Sequence, residues 1–162
     1  MRRSAESGPQ RGDTQVPAFL PDTSCILAAL CSWHVDHEPA AREIQARLGR
    51  AHAMFVGAPS LVEAYSVLTR FPPPHRLGPS DALLLLETSF ISAGTVVALD
   101  AGHYVRLLRE AARDGVAGGR IYDAVIAACV ERSNGVTLLT FNVSDFESLA
   151  RPGLEVITPG AT

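Results

Sequence analysis

Lysine is absent from this chain of 162 residues, and all 14 of its basic residues are arginine. This absence excludes every mechanism that needs a catalytic lysine, including the phosphate-binding lysine of a P-loop. The net charge is -3, so no overall basic field predicts nucleic-acid binding, although local arginines can still grip phosphates. The three cysteines, Cys25, Cys31 and Cys129, lie among apolar residues and cannot all pair with one another, so we expect buried free thiols.

Long apolar runs are missing as well. No stretch reaches the roughly 18 residues that a membrane span needs, and no apolar segment follows Arg2 and Arg3 to form a secretory signal. We therefore expect a cytoplasmic protein with no membrane contact. Apolar residues still make up 47% of the chain, which is enough to bury a core in a domain of this length.

The pattern along the chain predicts a tail followed by a single domain. Residues 1–16 are polar and without periodicity, which predicts a flexible N-terminal tail. Over residues 17–162, short apolar runs alternate with helical patterns, as in βαβ units. We therefore predict a three-layer α/β/α fold around a central parallel sheet of about five strands.

The strands are predicted at residues 17–22, 53–57, 95–99, 136–141 and 154–157. The helices are predicted at 23–31, 38–49, 61–70, 81–91, 101–113 and 121–133, with a helical turn at 145–150. The residues whose side chains are expected to cap helix starts are Ser60, Ser80 and Asp100.

Four acidic residues share one position in this scheme, the carboxyl edge of the sheet. Asp22 ends the first predicted strand and Glu63 follows the second. Asp145 follows the fourth strand, and Asp123 begins the helix that leads into it. Because parallel strands all end at the same edge, we expect the four acids to meet where open α/β sheets bind ligands. Each acid alone also fits a helix-capping role, and Glu63 alone fits a capping box with Ser60, but capping does not explain why all four share one edge.

A group of four carboxylates implies a bound cation. Two like charges about 4 Å apart repel by roughly 4 kcal/mol at an effective dielectric near 20, so protons or metal ions must neutralise the group. Carboxylate oxygens without His or Cys select Mg²⁺ or Mn²⁺. Such ions activate water and stabilise the attacking and leaving oxygens at phosphorus. The sequence therefore predicts phosphodiester hydrolysis.

The segments around these acids resemble the PIN domain, and more narrowly the VapC-type toxins of bacterial toxin–antitoxin pairs. The matching segments are 19–24 (FLPDTS), 60–70 (SLVEAYSVLTR), 122–128 (YDAVIAA), 139–146 (LTFNVSDF) and 154–159 (LEVITP). The resemblance implies that the catalytic and metal-binding acids are Asp22, Glu63, Asp123 and Asp145. It implies supporting polar roles for Thr23, Ser24, Thr140 and Asn142. The chain departs from the family at Ser24, where Asn is frequent, but a hydroxyl can still donate or accept a hydrogen bond there.

The same resemblance implies a Mg²⁺-dependent endoribonuclease, with Mn²⁺ as a substitute, that forms a homodimer and is inhibited by a small antitoxin protein. We expect Asp22 and Asp123 to bind the main ion, and Glu63 and Asp145 to complete its shell. Arg120, beside Asp123, is expected to contact RNA phosphates. A second arginine group shares one helical face that is either a solvated stripe or part of the RNA surface: Arg106, Arg109 and Arg113.

Two other functions remain open. A phosphotransfer or receiver-like domain of similar layers would use Asp22 as its phosphoacceptor, but such proteins usually hold the phosphoryl group with a lysine, which this chain lacks. A catalytically inactive PIN-like binding module would keep the acids while its groove is blocked. Metal titration paired with RNA cleavage on one sample separates this module from a nuclease.

Overall fold

The computed structural model describes residues 16–133, 136–149 and 153–161. The predicted tail over 1–16 therefore lies outside the described residues, apart from the exposed Val16. The described part forms a five-stranded parallel sheet with helices on both faces. This confirms the predicted three-layer α/β/α fold.

The strands are β1 (Ala18–Pro21), β2 (Ala53–Gly57), β3 (Thr95–Val97), β4 (Thr137–Leu139) and β5 (Val156–Ile157). The helices are α1 (Thr23–Leu30), α2 (His37–Gly49), α3 (Ala58–Arg70), α4 (Pro79–Leu86), α5 (Ala101–Arg113), α6 (Arg120–Arg132) and α7 (Val143–Glu147). A π-helical turn over Glu87–Ile91 continues α4, where an α-helix to residue 91 was predicted. Residue 150, the predicted end of the last helical turn, lies outside the described residues.

The strand order β3-β2-β1-β4-β5 places β1 at the centre, with β2 on one side and β4 on the other. Neighbouring residues of β1 face opposite layers, as the two-residue period of a strand requires. Phe19 packs in a core built mainly by α1, α2, α3 and α4, whereas Leu20 packs in a core built mainly by α6, with smaller contributions from α5 and α7. Because the chain leaves β1 for β2 and later returns to β4 on the other side, the ends of β1 and β4 form a topological switch point.

The predicted caps are confirmed at one position and wrong at two. The Asp100 carboxylate accepts a hydrogen bond of 2.9 Å from the His103 amide and caps α5. At α3 and α4 the caps are Gly57 and Gly78 instead, and a proline follows in the first turn of each helix. Proline suits the first helical turn because it has no N–H to leave unpaired, so both helices begin earlier than a serine cap would place them.

None of the described helices has the length and apolar character needed to cross a membrane.

Candidate active site

Asp22 sits where β1 ends and α1 begins, and its carboxylate is held by three donors. Oδ1 accepts hydrogen bonds from the Cys25 amide at 2.9 Å and from the Ser24 hydroxyl at 2.6 Å. Oδ2 accepts one from the Thr140 hydroxyl at 2.5 Å. The Asp22 residue is only 3% exposed, so its carboxylate has one orientation in the fold.

Thr140 and Ser24 connect Asp22 to the loop after β4. The Thr140 hydroxyl also accepts a hydrogen bond from the Asn142 amide at 2.9 Å, and the Ser24 hydroxyl accepts one from the Phe141 amide at 3.1 Å. Each hydroxyl thus donates to Asp22 and accepts from the main chain, which uses both of its hydrogen-bonding capacities. Ser24 therefore has a structural role, since its hydroxyl joins the Asp22 carboxylate to the loop after β4.

Glu63 joins this group through Thr23. The Thr23 hydroxyl, in the first turn of α1, donates a hydrogen bond of 2.7 Å to Glu63 Oε2. Since α3 begins at Ala58, Glu63 lies in its second turn and is not the partner of a Ser60 cap. Ser60 itself is fully buried, and its hydroxyl has no hydrogen-bond partner among the described residues. The capping-box explanation of Glu63 is therefore wrong.

Asp123 lies in the first turn of α6 and is partly buried. Burial raises its pKa to about 6, and the negative charges of Asp145, Asp22 and Glu63 contribute to the rise in that order. Arg120 opposes the rise because its positive charge favours the ionised carboxylate. The other three acids named from the sequence, Asp145, Asp22 and Glu63, are therefore close enough to Asp123 to disfavour its ionised form.

The Asp22 carboxyl also has a raised pKa, and burial is the main cause. The hydrogen bonds from Ser24, Thr140 and Cys25 act in the opposite direction and offset part of that effect. The ionised carboxylates of Asp22 and Asp123 are thus both destabilised in the fold. A bound cation would compensate both carboxylates, as would protons.

The remaining predicted residues lie at the exposed side of the group. Asp145 is exposed in the first turn of α7. Arg120 donates a hydrogen bond to the hydroxyl of Ser148, and that hydroxyl donates to the Asp145 carbonyl at 3.3 Å. Asn142 reaches the site through its main-chain amide, while its exposed side chain makes no capping hydrogen bond to α7.

The chemistry of the donor set suits a hard divalent cation such as Mg²⁺ or Mn²⁺, because all four candidate side chains offer carboxylate oxygens. Within the described residues, however, no group of three His, Cys, Asp or Glu side chains is positioned to hold a metal ion. Glu63 and Asp145 are exposed, and exposed side chains change rotamer on the picosecond-to-nanosecond timescale. The donor chemistry therefore fits, and ion binding requires a rearrangement of these side chains.

Comparison with known proteins decides the family, because the model of the PIN domain matches residues 19–152. This chain belongs to the PIN-domain family. It is 36% identical over 138 residues to Ribonuclease VapC40 of Mycobacterium tuberculosis, a match that covers 85% of this chain and 96% of that relative. It is 33% identical over 111 residues to Ribonuclease VapC27 of the same organism, covering 68% of this chain and 75% of that protein.

Among solved structures, the PIN domain is similar to a chain of the DNA-bound VapBC crystal structure from Salmonella typhimurium. The TM-score is 0.61 at 25% sequence identity, and the match covers 88% of this chain and 98% of that chain. A chain of the FitAB structure bound to a DNA fragment gives a TM-score of 0.62 at 16% identity, which shows the fold alone.

One feature of this PIN domain was missed from the sequence, a cavity of about 570 Å³ between α3, α5 and α6. Glu63 lines it, so the cavity opens directly beside the acid group. Its walls include Val62, Tyr104 and Tyr122, which are 71%, 37% and 64% exposed. The signal in the sequence was one apolar or aromatic residue on each of these three helices outside its buried face, namely Val62, Tyr104 and Tyr122.

Proposed function

We propose that this PIN domain is a Mg²⁺-dependent endoribonuclease, with Mn²⁺ as a substitute, and that it is the toxin of a toxin–antitoxin pair. The similar proteins from Mycobacterium tuberculosis are ribonucleases by name. The observation that carries the proposal is the raised pKa of Asp123, which depends in part on the charges of Asp22, Glu63 and Asp145. A carboxylate that is destabilised by burial and by neighbouring acids, as Asp123 is, is expected in a cation site when no cation is bound.

In the proposed site, Asp22 and Asp123 hold the main ion, and Glu63 and Asp145 complete or extend its shell. When bound, the ion supplies charge stabilisation at phosphorus and a more acidic water. The fixed orientation of Asp22 supports its assignment as the anchoring ligand, because a preoriented carboxylate loses little conformational freedom on binding.

The hydroxyls of the site have positioning roles in this proposal. The hydrogen bonds from Ser24 and Thr140 fix the orientation of the Asp22 carboxylate. They also favour its ionised form, which is the form that binds a cation. Thr23 holds Glu63 beside the first turn of α1. Loss of any of these hydrogen bonds leaves the acids in place but less well oriented.

The substrate is proposed to be RNA, drawn to an acidic site by the ion and by Arg120. Arg120 lies at the mouth of the site, and its charge already acts on Asp123. Its exposed bond to Ser148 can be exchanged for a phosphate oxygen without opening the core. A phosphate contact by arginine is bidentate and charge-assisted.

A small antitoxin protein is the partner proposed for this chain. The similar chain from Salmonella typhimurium belongs to a VapBC structure, which supports a small cognate antitoxin for this chain. A homodimer and a cytoplasmic setting are parts of the same proposal.

RNA cleavage by the purified chain tests the activity. We expect new 5′-phosphate and 3′-hydroxyl ends with Mg²⁺ or Mn²⁺, none in excess EDTA, and none from Asp22→Asn. The matched control is Asp81→Asn, which removes an exposed acid from the first turn of α4 and should leave cleavage unchanged. Full cleavage by Asp22→Asn contradicts the proposal.

Calorimetric titration with Mn²⁺ on the same preparation gives a readout that does not depend on the substrate. Binding by the native chain that is lost in Asp22→Asn supports the site even if the RNA chosen is not the natural target. Mn²⁺ binding without cleavage of any RNA pool points to the inactive binding module instead. Covalent mass gain after incubation with acetyl phosphate would support the receiver-like alternative.

A further inference from the structure

The cavity beside Glu63, which we call the Glu63 cavity, has the size and lining of a site for an organic ligand. Its volume is about 570 Å³, and such sites usually enclose about 300–1,000 Å³. Ile126 in its lining is buried, whereas Val62 is exposed. The cavity therefore reaches from the edge of the core to the surface, and a planar apolar group can enter it from outside.

Two tyrosine rings in the wall of the Glu63 cavity are available for stacking. Tyr104 of α5 and Tyr122 of α6 are 37% and 64% exposed. Within the residues that the structure describes, neither ring contacts another aromatic ring, and neither hydroxyl forms a hydrogen bond. Aromatic side chains stack on nucleobases of every kind, because each base has a π-face. The wall therefore suits a nucleobase.

An arginine supplies positive charge at the end of the Glu63 cavity that lies away from the acids. Glu63 and Arg70 both line the cavity from α3 and lie about two helical turns, or about 10 Å, apart along the helix axis. Arg70 is exposed, and its side chain makes no hydrogen bond or ion pair with another described residue. A strand with one phosphate at the acids can thus place a neighbouring phosphate against Arg70.

The first turn of α6 places the Glu63 cavity on the path of such a strand. Successive helical residues are about 100° apart, so Arg120 and Tyr122 lie on nearly opposite sides of α6, with Asp123 on the arc between them. A strand that contacts Arg120 on one side and crosses the acids therefore arrives at Tyr122 on the other side.

We infer that the Glu63 cavity is a subsite for one nucleobase of the RNA, next to the phosphate that the acids hold. Tyr104 and Tyr122 are its stacking residues, and Arg70 contacts a neighbouring phosphate. The inference rests on the nuclease of the proposed function and names the part of the substrate that is recognised beside the acids.

The acid in the lining favours RNA over a protein as the occupant. A protein surface seated in the Glu63 cavity would cover the Glu63 carboxylate, and covering a carboxylate without an opposite charge is costly. In the proposed function RNA binds together with the cation, which compensates the same carboxylate. Rings combined with a basic side chain are also the groups with which single-stranded nucleic acid is bound.

Titration of the full chain with nucleosides in EDTA tests the subsite without metal, cleavage or phosphate. The probes are adenosine, guanosine, cytidine and uridine. The chain has three tyrosines, and Tyr65 lies outside the lining of the Glu63 cavity. With isotope-labelled tyrosine, we expect saturable shifts of the Tyr104 and Tyr122 ring signals in NMR spectra with at least one nucleoside, and an unchanged Tyr65 signal.

Substitutions of the two tyrosines test the stacking. Tyr104→Leu and Tyr122→Leu should each lower nucleoside affinity, and kcat/KM for RNA, by about 5- to 150-fold. Tyr104→Phe and Tyr122→Phe should retain both, because the ring is kept. Tyr65→Leu is the control, since Tyr65 is 36% exposed, nearly the same as Tyr104. Mn²⁺ affinity should be native in all five variants, which separates the subsite from the ion site.

Arg70→Gln separates the phosphate contact from the base contact. We expect native affinity for nucleosides, which carry no phosphate. Affinity for RNA in EDTA should fall, and its dependence on salt should become shallower by about one unit in the log–log slope. The control is Arg42→Gln, an exposed change on α2, which should leave both affinities unchanged.

Three results would each overturn the subsite: no shift with any nucleoside, equal losses in the Leu and Phe variants, or losses in Tyr65→Leu as large as in Tyr104→Leu. Dissociation of a native dimer by Tyr104→Leu at unchanged nucleoside affinity would assign the cavity to a second protein chain instead. Weaker nucleoside binding by Arg70→Gln would contradict the phosphate contact. Circular dichroism checks that each variant is folded. Nucleoside binding by a chain that cleaves no RNA refutes the nuclease and leaves the subsite, so the two failures are distinct.

Discussion

Thr140 donates a hydrogen bond of 2.5 Å to Asp22 across 118 residues of sequence. The pair meets because β1 and β4 are neighbours in the sheet and both end at the same edge, where the Asp22 amide also donates to the Leu139 carbonyl at 2.9 Å. This contact links the first and last parts of the candidate site and helps to fix the orientation of the buried Asp22 carboxylate.

Thr140→Val keeps the shape of the side chain and removes this donor. We expect a loss of about 1–3 kcal/mol in the free energy of unfolding near neutral pH, because a buried carboxylate is left with an unmatched oxygen. Chemical denaturation measures the loss. Thr88→Val, which removes an exposed hydroxyl bonded to its own helix, should change stability little. An equal effect of the two substitutions would contradict the role given to Thr140.

Asp123→Asn should change the pH dependence of stability. In the folded chain the pKa of Asp123 is raised from 3.8 to about 6. The protonated carboxyl therefore stabilises the fold, and this contribution is complete at pH values below the unfolded pKa. It loses that contribution as the pH rises through about 6. Melting in EDTA should therefore show Asp123→Asn gaining stability over the native chain at pH 8 and gaining little at pH 4. A pH-independent difference, such as the exposed control Asp81→Asn should give, would contradict the coupling.

Thr23→Val should weaken metal binding with little effect on stability. It removes the hydrogen bond to Glu63 Oε2 at 2.7 Å, and loss of an outer-shell partner costs about 10- to 100-fold in metal affinity. Mn²⁺ calorimetry measures the change. Ser66→Ala, an exposed change on the same helix α3 as Glu63, should bind Mn²⁺ as the native chain does. If Thr23→Val binds Mn²⁺ with the affinity of the native chain, Glu63 does not belong to the proposed shell of the ion.

Arg120→Gln should weaken RNA binding through the loss of one phosphate contact. The expected sign is a lower affinity for RNA of any sequence and a shallower dependence on salt, by about one unit in the log–log slope. Binding is measured by fluorescence anisotropy with catalytically inactive Asp22→Asn as the background. Arg106→Gln tests the arginines of α5 in the same way. If RNA affinity falls in Arg106→Gln but not in Arg120→Gln, the RNA-binding surface lies on α5 and does not include Arg120.

The site could be predicted from the sequence to the extent that it depends on topology. Once alternating runs indicate a parallel sheet, residues that follow strands and begin helices must share one edge, which is why we expected Asp22, Glu63, Asp123 and Asp145 to lie together. The cap of α5 by Asp100 could be predicted from local chemistry. No other residue near it offers an alternative start for this helix.

What could not be predicted depends on side-chain packing and on competition between helix starts. Ser60 looked like a cap, but the preceding Gly57 and Pro59 let the helix begin earlier, which buried the serine and moved Glu63 into the second turn. The pairing of Thr23 with Glu63 depends on rotamers, and sequence spacing does not specify them.

An anomalous difference map from crystals grown in Mn²⁺ tests the central claim most directly. The account predicts a manganese peak in contact with the carboxylates of Asp22 and Asp123, with Glu63 or Asp145 turned toward it. Carboxylates that stay apart with no peak between them, in crystals where Mn²⁺ is bound elsewhere or not at all, would contradict it.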